Sequence, residues 1–277
     1  VTILDNQALK IQKNFHIPIE KSGLDRYEKI LTFANTMPIF LSRQDSIMTA
    51  VYKMIQSRHR SLPVILKDKR LEGMVATSDI FDAFLNDVSF SDSVGTVMTE
   101  DVVSVNHDVP LGMVVKEMKA TRRGRLPVLK DKKIAGMISE YDIAKYFAHA
   151  NLGIQVSEVM AKKPLFLNHD ISILDSLKIL ASTKYRRLPV VQSGKAVGIV
   201  AASDMLKYLR NTHFMMPDLV KPVSSVMKRK IISISKHKDI SEAIRSMLVH
   251  DVSGVLVIDS DRLEGIITYR DVIDHLV

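Results

Sequence analysis

Gly73-Met74-Val75-Ala76-Thr77-Ser78-Asp79 decides the fold, because the same pattern comes back three times along the chain. It returns as Gly136-Met137-Ile138-Ser139-Glu140-Tyr141-Asp142, as Gly198-Ile199-Val200-Ala201-Ala202-Ser203-Asp204 and as Gly265-Ile266-Ile267-Thr268-Tyr269-Arg270-Asp271. The four aspartates are 63, 62 and 67 residues apart. A second anchor keeps step with them: Leu62-Pro63-Val64, Leu126-Pro127-Val128 and Leu188-Pro189-Val190, with Val255-Leu256-Val257 in the fourth copy. A third opens three of the units, as Val94-x-x-Val97-Met98, Val156-x-x-Val159-Met160 and Val223-x-x-Val226-Met227. Three motifs in phase do not arise by chance, so the chain is a fourfold repeat.

Each unit reads as strand, helix, strand, strand, helix, an α/β (α+β) pattern. The first helix is expected to begin at Asp45, Asp108, Asp170 or Asp239, residues suited to capping free N–H groups. Apolar residues follow at helical spacing, as in Ile173, Leu174, Leu177 and Leu180. The Leu-Pro-Val and Gly-Ile-Val runs, separated by polar turns such as Lys130 to Lys133, read as a buried hairpin. The second helix starts near each repeated aspartate, with Ile143, Tyr146 and Phe147 as its apolar stripe in the second copy. A unit of about 60 residues has too small a core to cover its own strand faces. Unit one is therefore expected to pair with two, and three with four, through their sheets. The expected boundaries are 1–29 for an N-terminal arm, then 30–90, 91–152, 153–211 and 212–277 for the repeats. The longer connector from Asn211 to Pro222 carries Phe214-Met215-Met216-Pro217, a segment suited to covering an interface.

The 277 residues are 46% hydrophobic and 25% charged, an ordinary globular composition, and the absence of cysteine excludes disulfides and thiolate metal sites. No stretch approaches the roughly 20 apolar residues of a membrane span, and Ile30 to Leu41 is short and broken by Asn35 and Pro38. These features predict a cytoplasmic protein with no membrane partner. Lys and Arg outnumber Asp and Glu by 39 to 31, a formal charge of +8, which favours anionic partners. There is no P-loop, no Gly-x-Gly-x-x-Gly, no Gly-x-Ser-x-Gly and no His-Glu-x-x-His. His59, His107, His169, His213, His237 and His250 are scattered through polar stretches. Neither a catalytic constellation nor a metal site is expected.

The Val-x-x-Val-Met opening, the Leu-Pro-Val strand and the Gly-Ile-Val-(Ser/Thr)-x-x-Asp ending resemble those of CBS domains, over residues 30 to 277. Four copies in one chain resemble the nucleotide-sensing gamma subunit of AMP-activated protein kinase and its stand-alone archaeal relatives. The resemblance implies two Bateman modules, each a sheet-paired couple of repeats, assembled into a disk. It implies adenine nucleotide (AMP, ADP or ATP) as a regulatory ligand in clefts between paired repeats, with no catalytic cofactor. The implied partner is a regulated protein or, in its absence, a second copy in a homodimer. Repeat one departs from the pattern with Phe33-Ala34-Asn35-Thr36-Met37 at its opening. Repeat four lacks both the proline and the arginines before it.

On this resemblance the ribose falls to Asp79, Asp142, Asp204 and Asp271, helped by the hydroxyls of Ser139 and Thr268; Ala76 and Ala201 offer none. One carboxylate accepts two hydrogen bonds at once, yet the same Ser-x-x-Asp spacing also makes a capping box, and both readings stand. Basic residues two and three places before the proline serve phosphate in the family. Here those places hold Arg60 and Ser61, Gly124 and Arg125, Arg186 and Arg187, then Ser253 and Gly254. Arg270 occupies a further family phosphate position. Arg58, His59, Arg122, Arg123 and Lys184 enlarge the cationic groups, or simply favour helix C-termini. The second pocket would join Ser139 and Asp142 to Arg125 and Arg60; the fourth, Thr268 and Asp271 to Arg186 and Arg187. The third would join Asp204 to Arg270, and the first Asp79 to Arg60 and Arg125. Val103, Ile134 and Met137, and Ile232 and Ile266, would wall the base in pockets two and four, the two expected to bind best, or serve as plain core. The competing reading is nucleic-acid binding by the basic surface, which lacks an aromatic platform.

Overall fold

The structure, a computed structural model, describes residues 17–276; the first sixteen residues of the expected arm lie outside them. Repeat one holds α1 (Ile47–Ser57), β1 (Ser61–Ile65), β2 (Leu71–Ala76) and α2 (Thr77–Leu85). Repeat two holds β3 (Val105–Asn106), α3 (Leu111–Thr121), β4 (Arg125–Lys130), β5 (Lys133–Ser139) and α4 (Glu140–Ala144). Repeat three runs through α5 (Val156–Val159), β6 (Ala161–Lys162), β7 (Leu167–Asn168), α6 (Ile173–Thr183), β8 (Arg187–Gln192), β9 (Lys195–Ala201) and α7 (Ala202–Asn211). Repeat four closes with β10 (Ser233–Ile234), α8 (Ile240–Val249), β11 (Gly254–Asp259), β12 (Arg262–Thr268) and α9 (Tyr269–His275). The order read from the sequence is present in each. The first strand lies parallel to the hairpin, β3 on β4, β7 on β8 and β10 on β11. In repeat one it shrinks to a single parallel bridge from Leu41 to Val64.

Helix capping differs in detail from the expectation. Ser46 and Ser172 cap α1 and α6, their hydroxyls accepting from the N–H groups of Thr49 and Asp175. Pro110 precedes α3, and only at α8 does the expected aspartate, Asp239, serve. Asp45 sits one residue too early and instead accepts from the Ser42 N–H and pairs with Lys53 at 2.9 Å.

The three sequence motifs meet across repeats. The opening segment of each repeat adds itself to the hairpin of its neighbour: Asn35 bridges Met137, Thr99 bridges Met74, and Lys228 bridges Ile199. Ala161 and Lys162 of β6 pair with Ile266 and Gly265 of β12. Repeats one and two thus exchange edge strands, as do three and four, and sheet edges that would otherwise stand open are paired. The exchange also explains the glycines. A Cβ on Gly198 would stand 2.5 Å from the Met227 sulfur and 2.9 Å from the Lys228 carbonyl oxygen, contacts that allow only hydrogen at that Cα. Gly73 meets Met98 and Gly265 meets Met160 in the same way. At Gly136 the Asn35 carbonyl oxygen and Ala34 Cβ take that space, because repeat one has no Val-x-x-Val-Met opening.

Helices close the molecule in the other direction. One hydrophobic core joins α1 and α2 of repeat one to α6 and α7 of repeat three, around Val51, Phe81, Leu177 and Leu206. The other joins repeat two to repeat four, around Val114, Phe147, Ile244 and Val272. Sheets therefore bind one to two and three to four, while helices bind one to three and two to four. The connector takes part: Phe214 lies 4.1 Å from Phe90 and 5.9 Å from Phe84, both in repeat one, between ring centroids. Met215 and Met216 stay exposed. The described part of the arm also packs, with Ile17, Ile19 and Leu24 buried in the core of repeats two and four. Ile17 donates to the His275 carbonyl at 2.8 Å.

Candidate functional site

The chain enters each hairpin at the same point, just after the first helix, and that point faces the middle of the molecule in all four repeats. α1, α3 and α6 end on Arg58, Arg122 and Lys184, each in the left-handed conformation with φ of 57°, 54° and 56°. Non-glycine residues adopt that region at a cost and gather at functional sites. Two or three residues later the chain delivers Arg60, Arg125, Arg186 and Arg187. A cavity of about 1070 Å³ opens there, lined by all four repeats, with ten lysines and arginines against six carboxylates.

Three of these arginines have no carboxylate within ion-pair reach among the described residues. Arg60 donates to the Ser253 hydroxyl at 3.0 Å, and Arg187 donates to the same hydroxyl and to the Gly254 carbonyl at 2.8 Å. Arg125 donates to the Ser61 carbonyl at 3.4 Å, and Arg187 Nε is buried with no hydrogen-bond partner among the described residues. Burial, then the neighbouring guanidiniums of Arg186, Arg187 and Arg125, pulls Arg60 far below the usual arginine range. Burial, and next Arg186, brings Arg187 down to about 10. Burial, opposed in part by Asp142, lowers Arg125. Burial, then Arg125, lowers His59 on the same wall. Crowded, half-buried cations favour an anion among them.

Arg186 is different. It binds Glu140 Oε2 at 2.5 Å, and Arg270 stands 2.7 Å from Oε1 of the same carboxylate without the alignment of a hydrogen bond. Arg270 also donates to the Met118 carbonyl and lies 3.6 Å from Asp274. It faces repeat two and does not line the cavity beside Asp204.

Of the four repeated aspartates the cavity gathers Asp79, Asp142 and Asp204, together with Ser139. Asp79 accepts the Ala76 N–H at 2.7 Å, and burial raises its carboxyl above the usual range. Asp142 Oδ2 accepts both the Ser139 N–H, at 2.9 Å, and its hydroxyl, at 2.6 Å, leaving Oδ1 with Lys145 at 3.9 Å. Asp204 makes no capping bond: Oδ1 pairs with Lys228 at 2.9 Å, and Oδ2 is buried without a hydrogen-bond partner among the described residues. Thr268 and Asp271 form the same closed pair as Ser139 and Asp142, at 2.7 Å each, but neither lines the cavity. Burial pushes Asp271 up to about 6. Val103 and Met137 are on the cavity wall, whereas Ile134 borders a shallow depression with Met37 and Phe40. Ile232 packs against the core of repeats two and four, and Ile266 is buried between β11 and β6.

Sequence reasoning missed Glu140 and the acceptor role of Ser253. The signal was available. Thr77, Glu140, Ala202 and Tyr269 occupy one position of the repeat, all are buried, and only Glu140 is charged.

Four repeats in two strand-exchanging pairs, with their loop ends turned onto one basic cavity, define a protein of paired modules built around a shared basic centre. The CBS domain family matches residues 29–86, 94–149, 156–211 and 223–277, and the chain belongs to that family. It is 23% identical over 255 residues to an uncharacterized 33.4 kDa protein in a ribosomal RNA operon of Thermofilum pendens, covering 83% of this chain and 85% of that one. It is 24% identical over 264 residues to the uncharacterized protein MJ1225 of Methanocaldococcus jannaschii, covering 83% and 92%. The crystal structure of MJ1225, described as a candidate archaeal homologue of g-AMPK, superposes with a TM-score of 0.83 at 19% identity over 90% of this chain and 99% of that one. An uncharacterized protein from Pyrococcus horikoshii superposes at 0.63 with 23% identity, over 89% and 98%. No helix among the described residues is long and apolar enough to cross a membrane.

Proposed function

We propose that the protein is a regulatory sensor of adenine nucleotides, holding AMP, ADP or ATP with the phosphates on Arg60, Arg125 and Arg187 and the ribose on Asp79, Asp142 or Asp204. The observation that carries this reading is the group of arginines from three repeats, half-buried on one cavity without carboxylate partners among the described residues. Guanidinium forks match phosphate oxygens, and the orphaned Asp204 Oδ2 is an acceptor waiting for a hydroxyl. Val103 and Met137 supply apolar wall for a base. A regulated partner protein, or a second copy of this chain, reads the liganded state through a shift between conformations. The nucleic-acid alternative is weakened because these arginines point inward, away from any duplex.

Calorimetric titration with AMP, ADP, ATP and S-adenosylmethionine tests the proposal, with random DNA and RNA alongside. Nucleotide binding that weakens only modestly with salt supports it. Indifference to every nucleotide, with duplex affinity falling by about 0.9 log units per tenfold rise in salt for each neutralised phosphate, overturns it in favour of the alternative.

A further inference from the structure

In three repeats the position three residues before the strand proline, or its counterpart, carries a side chain that reaches the centre: Arg60, Arg186 and Ser253. Repeat two has Gly124 there. The space is not empty, because a Cβ on Gly124 would fall 1.7 Å from Arg186 Nη2 and 2.8 Å from the Glu140 carboxyl carbon. A guanidinium from repeat three thus fills the slot that repeat two leaves open. Glu140, with its side chain 2% exposed, holds it there. Missing cation and added anion occur in the same repeat, side by side. The other occupants of the Glu140 position, Thr77, Ala202 and Tyr269, bring no charge to the cavity.

We propose that Glu140 sets how many phosphate charges the cavity accepts: it stands among the arginines as a built-in anion and occupies Arg186, which a longer phosphate chain would otherwise take. This rests on the cavity being a nucleotide site. Arg60, Arg125 and Arg187 remain for the ligand, and each further phosphate brought toward Arg186 meets the charge of the nearly buried Glu140, where screening by water is reduced and like charges repel. The protein is therefore tuned toward the monophosphate.

The experiment compares the full chain with Glu140→Gln in titrations with AMP, ATP, inorganic phosphate and tripolyphosphate, at fixed ionic strength without magnesium. The variant should raise the ATP-to-AMP affinity ratio at least tenfold, and the tripolyphosphate-to-phosphate ratio likewise. Breaking a buried pair destabilises, so Glu140→Gln combined with Arg270→Gln serves as a second variant. It removes the cation that lies outside the cavity and should show the same shift in ratio. Unchanged ratios in a folded variant, with only a lower melting temperature, would reduce Glu140 to an interface pin and overturn the proposal. If the wild-type chain binds tripolyphosphate but no nucleotide and the ratio still shifts, the charge-setting role stands and the adenine-nucleotide reading falls. If it binds no anion, both fall.

Discussion

Asp204 and Asp142 carry the same letter at the same place in the repeat, yet their surroundings separate capping from ligand binding. Asp142 is closed onto Ser139, while Asp204 caps nothing and leaves an oxygen buried and unpaired. Hydrogen bonds to a charged group contribute roughly 1.5–3 kcal/mol, about ten- to hundredfold in affinity. Asp204→Asn should weaken nucleotide binding by that factor with little change in melting temperature, since its one partner, Lys228, is exposed and such a pair is worth little. Asp142→Ala should lose affinity and also about 1 kcal/mol of stability through the lost cap. Affinity unchanged in both variants would end the ribose assignment. Asp271 makes the opposite case. Its carboxyl, raised to about 6 by burial, holds a proton that the unfolded chain releases near pH 4. The stability it contributes is present below about pH 4 and gone above about pH 6, a span worth about 3 kcal/mol. Asp271→Asn should remove that part of the slope and be more stable than the wild type at pH 7, as read from urea midpoints at pH 4.5 and pH 7. The in-phase letters were legible in the sequence. Which of them faced the centre was not, because that depends on how Thr268 and Ser139 turn in three dimensions.

The Gly-Ile-Val strands and the Val-x-x-Val-Met openings were plain in the sequence as repeated words, and the hairpins and helices followed from them. That the words fit into one another could not be read, since periodicity names the unit and says nothing of its partner. The methionine sulfur against Gly198 makes this concrete. Gly198→Ala should cost about 1–3 kcal/mol by overpacking, and Met227→Ala should fail to restore it, because the Lys228 carbonyl oxygen still blocks the added carbon. Full rescue in a urea unfolding series would show that only the sulfur mattered. The helix starts slipped by one or two residues for a local reason. At Ser46 and Ser172 a hydroxyl reaches the third N–H of the helix, whereas an aspartate placed earlier closes a turn instead.

Pairing of repeats through sheets was expected from the small core of each unit, and the strand exchanges bear it out. The cores shared by repeats one and three, and by two and four, were out of reach. An apolar helix stripe announces burial but not against what. The arrangement makes both modules parts of each core, so unfolding should be one cooperative transition. A fragment of residues 17–152 should self-associate, using a second copy in place of the missing repeats. Two separate melting steps, or a monomeric fragment by light scattering at micromolar concentration, would contradict this.

The bridge from Ile17 to Leu276 sets the two extremes of the described chain side by side. Joining them and cutting instead at the exposed Asn151 would string the modules in reverse succession while keeping every sheet and core contact. The sequence in which a ribosome lays the two halves down should thus be interchangeable, and a circularly permuted gene should encode the same architecture, as a melting temperature close to that of the original chain would show.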